Sequence, residues 1–149
     1  MIASIPLAFQ PGTRWLYGSS LDVAGRLVEA ASGQDFASFV HARVTGPLCM
    51  YDTGFALPED KQVRLAAMYV AGPDGTTQRL NPPHIPAWGD GANVIPMGGG
   101  GLFSTLRDYM RFCRMMLGEG MLDGNRVLRP ETVAAMMRNQ LPPALGDAP

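Results

Sequence analysis

Residues 81–101 hold four prolines and six glycines. Proline removes a backbone donor and glycine loses the most conformational freedom on ordering, so no helix or central strand forms from such a stretch. It reads as a long irregular loop, and long loops in compact domains are usually functional or disordered. Whatever the chain folds into has to be built from the regular segments on either side.

Before that loop, residues 6–18 are punctuated by Pro6, Pro11, Gly12 and Gly18 and read as a loop as well. Ser19 or Ser20 is placed to cap a helix with Asp22 in its first turn. Leu21, Ala24, Leu27, Val28 and Ala31 form its apolar stripe, and Ser32-Gly33 stops it. Asp35 can cap a second helix with Phe36, Phe39, Val40 and Val44 on its apolar face, ended by Gly46-Pro47. The short link makes the two helices antiparallel neighbours. Leu65–Val70 and Thr76–Leu80 flank Ala71-Gly72-Pro73-Asp74-Gly75, the chemistry of a β-hairpin turn.

Beyond the loop, Ser104 is the expected cap of the most regular helix. Leu106, Tyr109, Met110, Cys113, Met116 and Leu117 recur there at helical spacing, and Gly118 closes it. A turn at Asp123-Gly124 leads to Pro130, well placed at the first position of a last helix through Met137. The tail from Leu141 has no periodicity, and no internal repeat or domain boundary is visible. The expected fold class is mainly α with a small β-hairpin.

Composition excludes several function classes. A length of 149 residues suits one domain with a real core, and a net charge of -1 leaves no electrostatic footprint for nucleic acid or an anionic membrane. Charged residues make up 17% of the chain, below the usual quarter, which hints at surface normally covered. No stretch approaches the roughly 18–20 apolar residues that span a bilayer. Met1–Pro6 lacks the basic region and cleavage pattern of a signal peptide, and the compartment stays open. Cys49 and Cys113 make no disulfide framework, and Cys113 reads as a small core residue.

Several catalytic constellations are absent from these residues. The only lysine is Lys61, and Pro58 stands three residues before it, so no Ser-x-x-Lys pair exists. No serine has glycine both two before and two after it, as a nucleophile elbow needs. Gly98–Gly101 runs into Leu102-Phe103, which fits neither a P-loop nor a dinucleotide fingerprint. His41 and His84 lie in no cluster with metal-ligand spacing, so no metal or cofactor is expected.

What remains is Tyr17-Gly18-Ser19. A tyrosine and a serine two apart can face one cleft where an extended segment turns into a helix. A phenol with a resting pKa near ~10 is a base at neutral pH only beside a cation, and Arg14 is the nearest in sequence. On residue type alone, Tyr17 reads as a packing residue with a satisfied hydroxyl and Ser19 as a plain N-cap. Trp88 can line a pocket or simply anchor its loop. Gly98–Asp108 reads as structural: glycines permit close approach, Ser104 and Thr105 satisfy orphan amides, and Asp108 complements the helix dipole.

Taken in order, these residues resemble a family. Pro6-Leu-Ala-Phe-Gln-Pro-Gly-Thr-Arg-Trp-Leu-Tyr-Gly-Ser19 is similar to the second catalytic block of β-lactamase-related serine hydrolases. That group takes in class C β-lactamases, penicillin-binding-protein-like peptidases and family VIII carboxylesterases. Val28–Gln34 resembles the end of the helix that follows this block. Pro47-Leu-Cys-Met-Tyr-Asp-Thr-Gly-Phe55 is similar to Pro-Leu-Gly-Met-x-Asp-Thr-x-Phe. Gly98–Asp108 resembles Gly-Gly-x-x-Ser-Thr-x-x-Asp, and Leu122–Pro130 resembles Leu-x-Gly-x-x-x-Leu-x-Pro.

The resemblance implies a helical subdomain segment of the α+β β-lactamase/transpeptidase-like fold, with residues 1–149 a partial domain. It implies acyl-serine chemistry on a small-molecule ester or amide, with Tyr17 as general base and Ser19 as the second polar residue of the block. The Ser-x-x-Lys block would lie upstream of Met1 and the third block beyond Pro149, so these residues alone are expected to be inactive. Serine at 19, where β-lactamases usually carry asparagine, leans towards an esterase or acyltransferase. Cys49 replaces a common glycine. The chain without the rest of the fold is expected to self-associate. The alternative is a non-catalytic helical binding or scaffold module of the same fold.

Overall fold

A computed structural model describes residues 4–80 and 95–142. Trp88 lies outside the described residues. The elements run α1 Ser20–Ser32, α2 Phe36–Val40, β1 Met68–Ala71, β2 Thr77–Leu80, α3 Leu106–Leu117, β3 Met121–Leu122, β4 Asn125–Arg126 and α4 Pro130–Met136. The architecture is mainly α with two small antiparallel hairpins, as the pattern of the sequence predicts, one hairpin more than expected.

Local chemistry explains most boundaries. Gly33 takes the left-handed conformation (φ 68°) that ends α1, its amide donating to Glu29 O at 2.9 Å. Glu29 Oε1 also accepts from the Phe36 amide at 2.9 Å, so the last turn of α1 ties down the start of α2. Asp35 caps α2 by accepting from the Ser38 amide. The second helix is not α throughout. After Val40 it continues as a π-helical turn, His41–Thr45, closed by the Gly46 amide on His41 O at 2.8 Å. A Cβ on Gly46 would stand 2.8 Å from that same oxygen, so glycine is what the wider turn requires.

β1 pairs with β2 from Met68↔Leu80 to Ala71↔Thr77. Asp74 Oδ1 holds the turn by accepting from the amide and hydroxyl of Thr76. β3 and β4 join through Asp123 (φ 49°) and Gly124 (φ 82°), both left-handed, as a two-residue type I′ turn demands. Cys49 also adopts positive φ (52°), at the position where the resembling family commonly has glycine.

The core is a cluster of Leu48, Met50, Met115 and Leu122, with Val44, Phe112, Met116, Val127 and Leu128 packed around it. It lies where α3 meets the β3–β4 hairpin and the segment after the π-turn. Two expectations need correction. The cap of α3 is Thr105, whose hydroxyl accepts from the Asp108 amide, rather than Ser104. The inward face of α3 carries Asp108, Arg111, Phe112 and Met115. Of the predicted stripe only Met116 and Cys113 are half-buried, whereas Tyr109, Met110, Leu106 (82% exposed) and Leu117 (86% exposed) face outward. The helix is apolar on two sides, and its own neighbours cover one.

Most of the stripe predicted for α1 faces outward too: Leu21 and Leu27 are exposed, Val28 is half-buried, and Gly25 is the buried residue. Large exposed apolar surface drives association. Sedimentation velocity at increasing concentration is expected to show self-association. Leu106→Glu with Leu117→Glu should shift the chain towards monomer with its helical circular dichroism intact. A concentration-independent monomer would contradict this.

Candidate functional site

Tyr17-Gly18-Ser19 runs straight into the first turn of α1. The Ser19 carbonyl accepts from the Asp22 and Val23 amides at 3.1 Å each, so the serine occupies the N-cap position. Its hydroxyl makes no capping bond, leaving that oxygen uncommitted to the helix. Tyr17 is 78% exposed and does not pack as a core aromatic.

The glycine-rich block is docked on this same turn. Asp22 Oδ1 accepts from the Gly99 amide at 2.9 Å. A Cβ on Gly98 would fall 1.9 Å from Leu21 O, and one on Gly25 would lie 3.3 Å from Gly98 N. Two glycines therefore let backbone meet backbone across the first two turns of α1. Arg26, ion-paired with Glu29, donates to Pro96 O at 3.5 Å from the next turn.

The other end of the glycine-rich block is fixed to the segment after the π-turn. Asp108, 6% exposed, accepts through Oδ2 from the Asp52 amide (2.8 Å) and the Thr53 hydroxyl (3.0 Å). Thr53 Oγ1 also shares a hydrogen bond with Ser104 Oγ at 2.8 Å. Gly54 and Phe103 exchange both backbone hydrogen bonds beside it, at 3.1 and 2.8 Å. The Asp52 side chain points elsewhere, to Arg64 (2.7 Å) and Lys61 (2.6 Å), and these cations hold its carboxyl down at about 2. Lys61, the lone lysine of the sequence, is thereby engaged, and it also donates to Tyr51 O at 3.0 Å.

A concavity of about 600 Å³ opens between α2, the π-turn and residues 53–56. Ser38, His41, Thr45, Phe55, Pro96 and Leu102 line it, and it includes neither Tyr17 nor Ser19. Among the described residues no group of His, Cys, Asp and Glu could hold a metal ion. No described helix is long and apolar enough to cross a membrane.

The arrangement joins the first turn of α1, the Asp-Thr segment and the glycine-rich segment into one unit. The Beta-lactamase family model matches residues 1–148. The chain belongs to the beta-lactamase family. It is 40% identical over 144 residues to Protein Rv1367c of Mycobacterium tuberculosis, covering 94% of this chain and 34% of that protein. It is 36% identical to the lovastatin esterase of Penicillium rubens, with 93% and 34% covered. In three dimensions it is similar to simvastatin synthase from Aspergillus terreus, with a TM-score of 0.81 at 30% identity over 95% of this chain and 34% of that one. Other relatives include an esterase and a methylbutanoyltransferase. The chain spans about a third of the length of the relatives it matches.

Sequence reasoning missed the two ties. Asp22 and Asp108 each carry a plausible local explanation, a favourable charge in a first helical turn, that hides a tertiary bond. The available signal was the pairing itself: a glycine run needs something to approach.

Removing the Asp108 carboxylate leaves the Asp52 amide without its acceptor and the Thr53 hydroxyl with Ser104 alone. Asp108→Ala should cost about 2–3 kcal/mol in urea unfolding, and Asp108→Asn, which keeps one acceptor, clearly less. For Asp52 the folded pKa is depressed, from 3.8 to about 2. Its contribution is therefore complete above about pH 5 and disappears as pH falls through 3.8 towards 2. Asp52→Asn should flatten that acid limb of the stability profile, as read by thermal melts between pH 2 and 6.

Proposed function

We infer that these residues form the tyrosine-bearing part of a serine hydrolase or acyltransferase that handles small-molecule esters or amides through an acyl-serine intermediate. Tyr17 is its general base and Ser19 the second polar group of the same block. The observation that carries this is the first turn of α1. It presents Tyr17 and a Ser19 hydroxyl unused by the helix, and the family's glycine-rich block is bonded directly beneath it.

In such a reaction a lysine-assisted serine attacks the carbonyl, and the phenol oxygen passes the proton to the leaving group. Within these 149 residues there is no Ser-x-x-Lys, and Lys61 is ion-paired with Asp52. The lysine that partners the phenol in this chemistry would then come from another part of a longer polypeptide. The serine at 19 and the esterase and acyltransferase relatives favour ester and acyl-transfer chemistry over β-lactam hydrolysis.

The 149-residue chain should not turn over p-nitrophenyl butyrate above background. In a polypeptide that joins these residues to a Ser-x-x-Lys block, Tyr17→Phe should lower kcat about 10²–10⁴-fold with a much smaller change in KM. Serine-dependent turnover by the short chain, or an unaffected Tyr17→Phe, would reject the assignment. The second of these results would leave a scaffold of the same fold as the better description.

A further inference from the structure

Gly98 and Gly99 meet the first turns of α1 at Asp22 and Leu21, outside the chemistry assigned to Tyr17 and Ser19. Asp22 Oδ1 bonds the Gly99 amide across 77 residues of sequence. Gly98 sits so close to Leu21 O that no side chain fits between them. Gly99 lies tight against the same carboxylate, since a Cβ there would lie 3.1 Å from Asp22 Oδ1. A helix start carrying an exposed loop ordinarily frays. Here the turn is braced from beneath by a carboxylate, three residues past Ser19, that accepts from a distant backbone.

We propose that Asp22 is a positioning residue for the tyrosine block: by bonding the Gly99 amide it clamps the glycine run under the first turn of α1 and so sets where Tyr17 and Ser19 stand. The proposal rests on the role of Tyr17 given above, but the placement it describes exists with or without turnover. Only the acceptor oxygen at position 22 is required, not the negative charge. Asparagine keeps such an oxygen in the same place, and alanine removes it. Gly98 adds the fit. The bond can form only because two backbones come into contact at this point.

The test uses the 149-residue chain labelled with ¹⁵N and with 3-fluorotyrosine, the Tyr17 fluorine signal being assigned by Tyr17→Phe. In Asp22→Ala the Gly99 amide should exchange about tenfold faster or more, because its acceptor is gone. The Gly18 and Ser19 amide signals and the Tyr17 fluorine signal should move or broaden as well, with those of Tyr51, Tyr69 and Tyr109 in place. Asp22→Asn should restore all of them. Asp108→Asn, destabilised at a different tie, serves as the control and should leave the Gly18, Ser19 and Tyr17 signals where they are.

If Asp22→Ala leaves those three signals unmoved, or Asp108→Asn moves them equally, the proposal is overturned, because Asp22 then contributes only general stability. Failure of Asn to restore them overturns it too, since charge rather than the acceptor would be at work. Should Asp22→Ala not fold, Asp22→Glu displaces the acceptor by one methylene and is read by the same signals with the same criteria. A Tyr17 that moves in Asp22→Ala but proves dispensable for turnover would reject the catalytic role and leave the positioning role standing.

Discussion

The Asp108 carboxylate holds the chain together at the point where local structure ends. Its acceptor oxygen takes a backbone amide and a hydroxyl from residues more than fifty positions earlier, in a site almost closed to water. A buried carboxylate with donors aimed at it stabilises, and the same carboxylate without them would be costly. That asymmetry makes the contact selective: only Asp52-Thr53, delivered by the turn after Leu48, presents both donors. Ser104 and the Gly54–Phe103 bonds then extend the contact into a short stretch of paired backbone.

From that anchor the glycine-rich segment runs back to α1, where the constraint changes from charge to space. Asp108 works because it is surrounded, and Gly98 works because it has no side chain. Between the two ends, the segment is bonded to both the Asp-Thr block and the tyrosine block. The glycine-rich segment thus links the Asp-Thr segment to the first turn of α1, just past the tyrosine block. Each of these segments supplies a partner that the glycine-rich segment requires.

The parts of the fold that were legible in the sequence are the parts decided within four residues. Gly33 ending α1, Asp35 capping α2, the Asp123-Gly124 turn and Pro130 opening α4 are all local choices of backbone angle or cap. Faces were not legible. α3 has apolar residues around most of its circumference, so periodicity alone picks out a stripe but not the one that is covered, and the stripe at Leu106, Tyr109 and Leu117 proves to be the open one. Ser104 and Thr105 are adjacent candidates for the same cap, and Ser104 is drawn away by Thr53. As for the site, Tyr17 and Ser19 stand out in the sequence mainly through resemblance. The unused Ser19 hydroxyl and the bond from Asp22 to Gly99 depend on tertiary packing that no single stretch encodes.

The two long-range ties also bear on how the chain finds this structure. Asp52 to Asp108 closes a loop of 56 residues, and Asp22 to Gly99 closes one of 77. The loops overlap. Once the first has closed, the path from Asp22 to Gly99 through it is shorter by about half, which lowers the entropic cost of the second closure by about 0.6 kcal/mol. The helices and the Asp123-Gly124 hairpin involve only neighbouring residues and form early, whereas distant pairings wait on loop closure. Assembly is therefore easiest in one direction, from the Asp108 anchor towards Asp22. By loop length alone, the turn bearing Tyr17 gains from the Asp108 anchor a tie that would cost more to close without it.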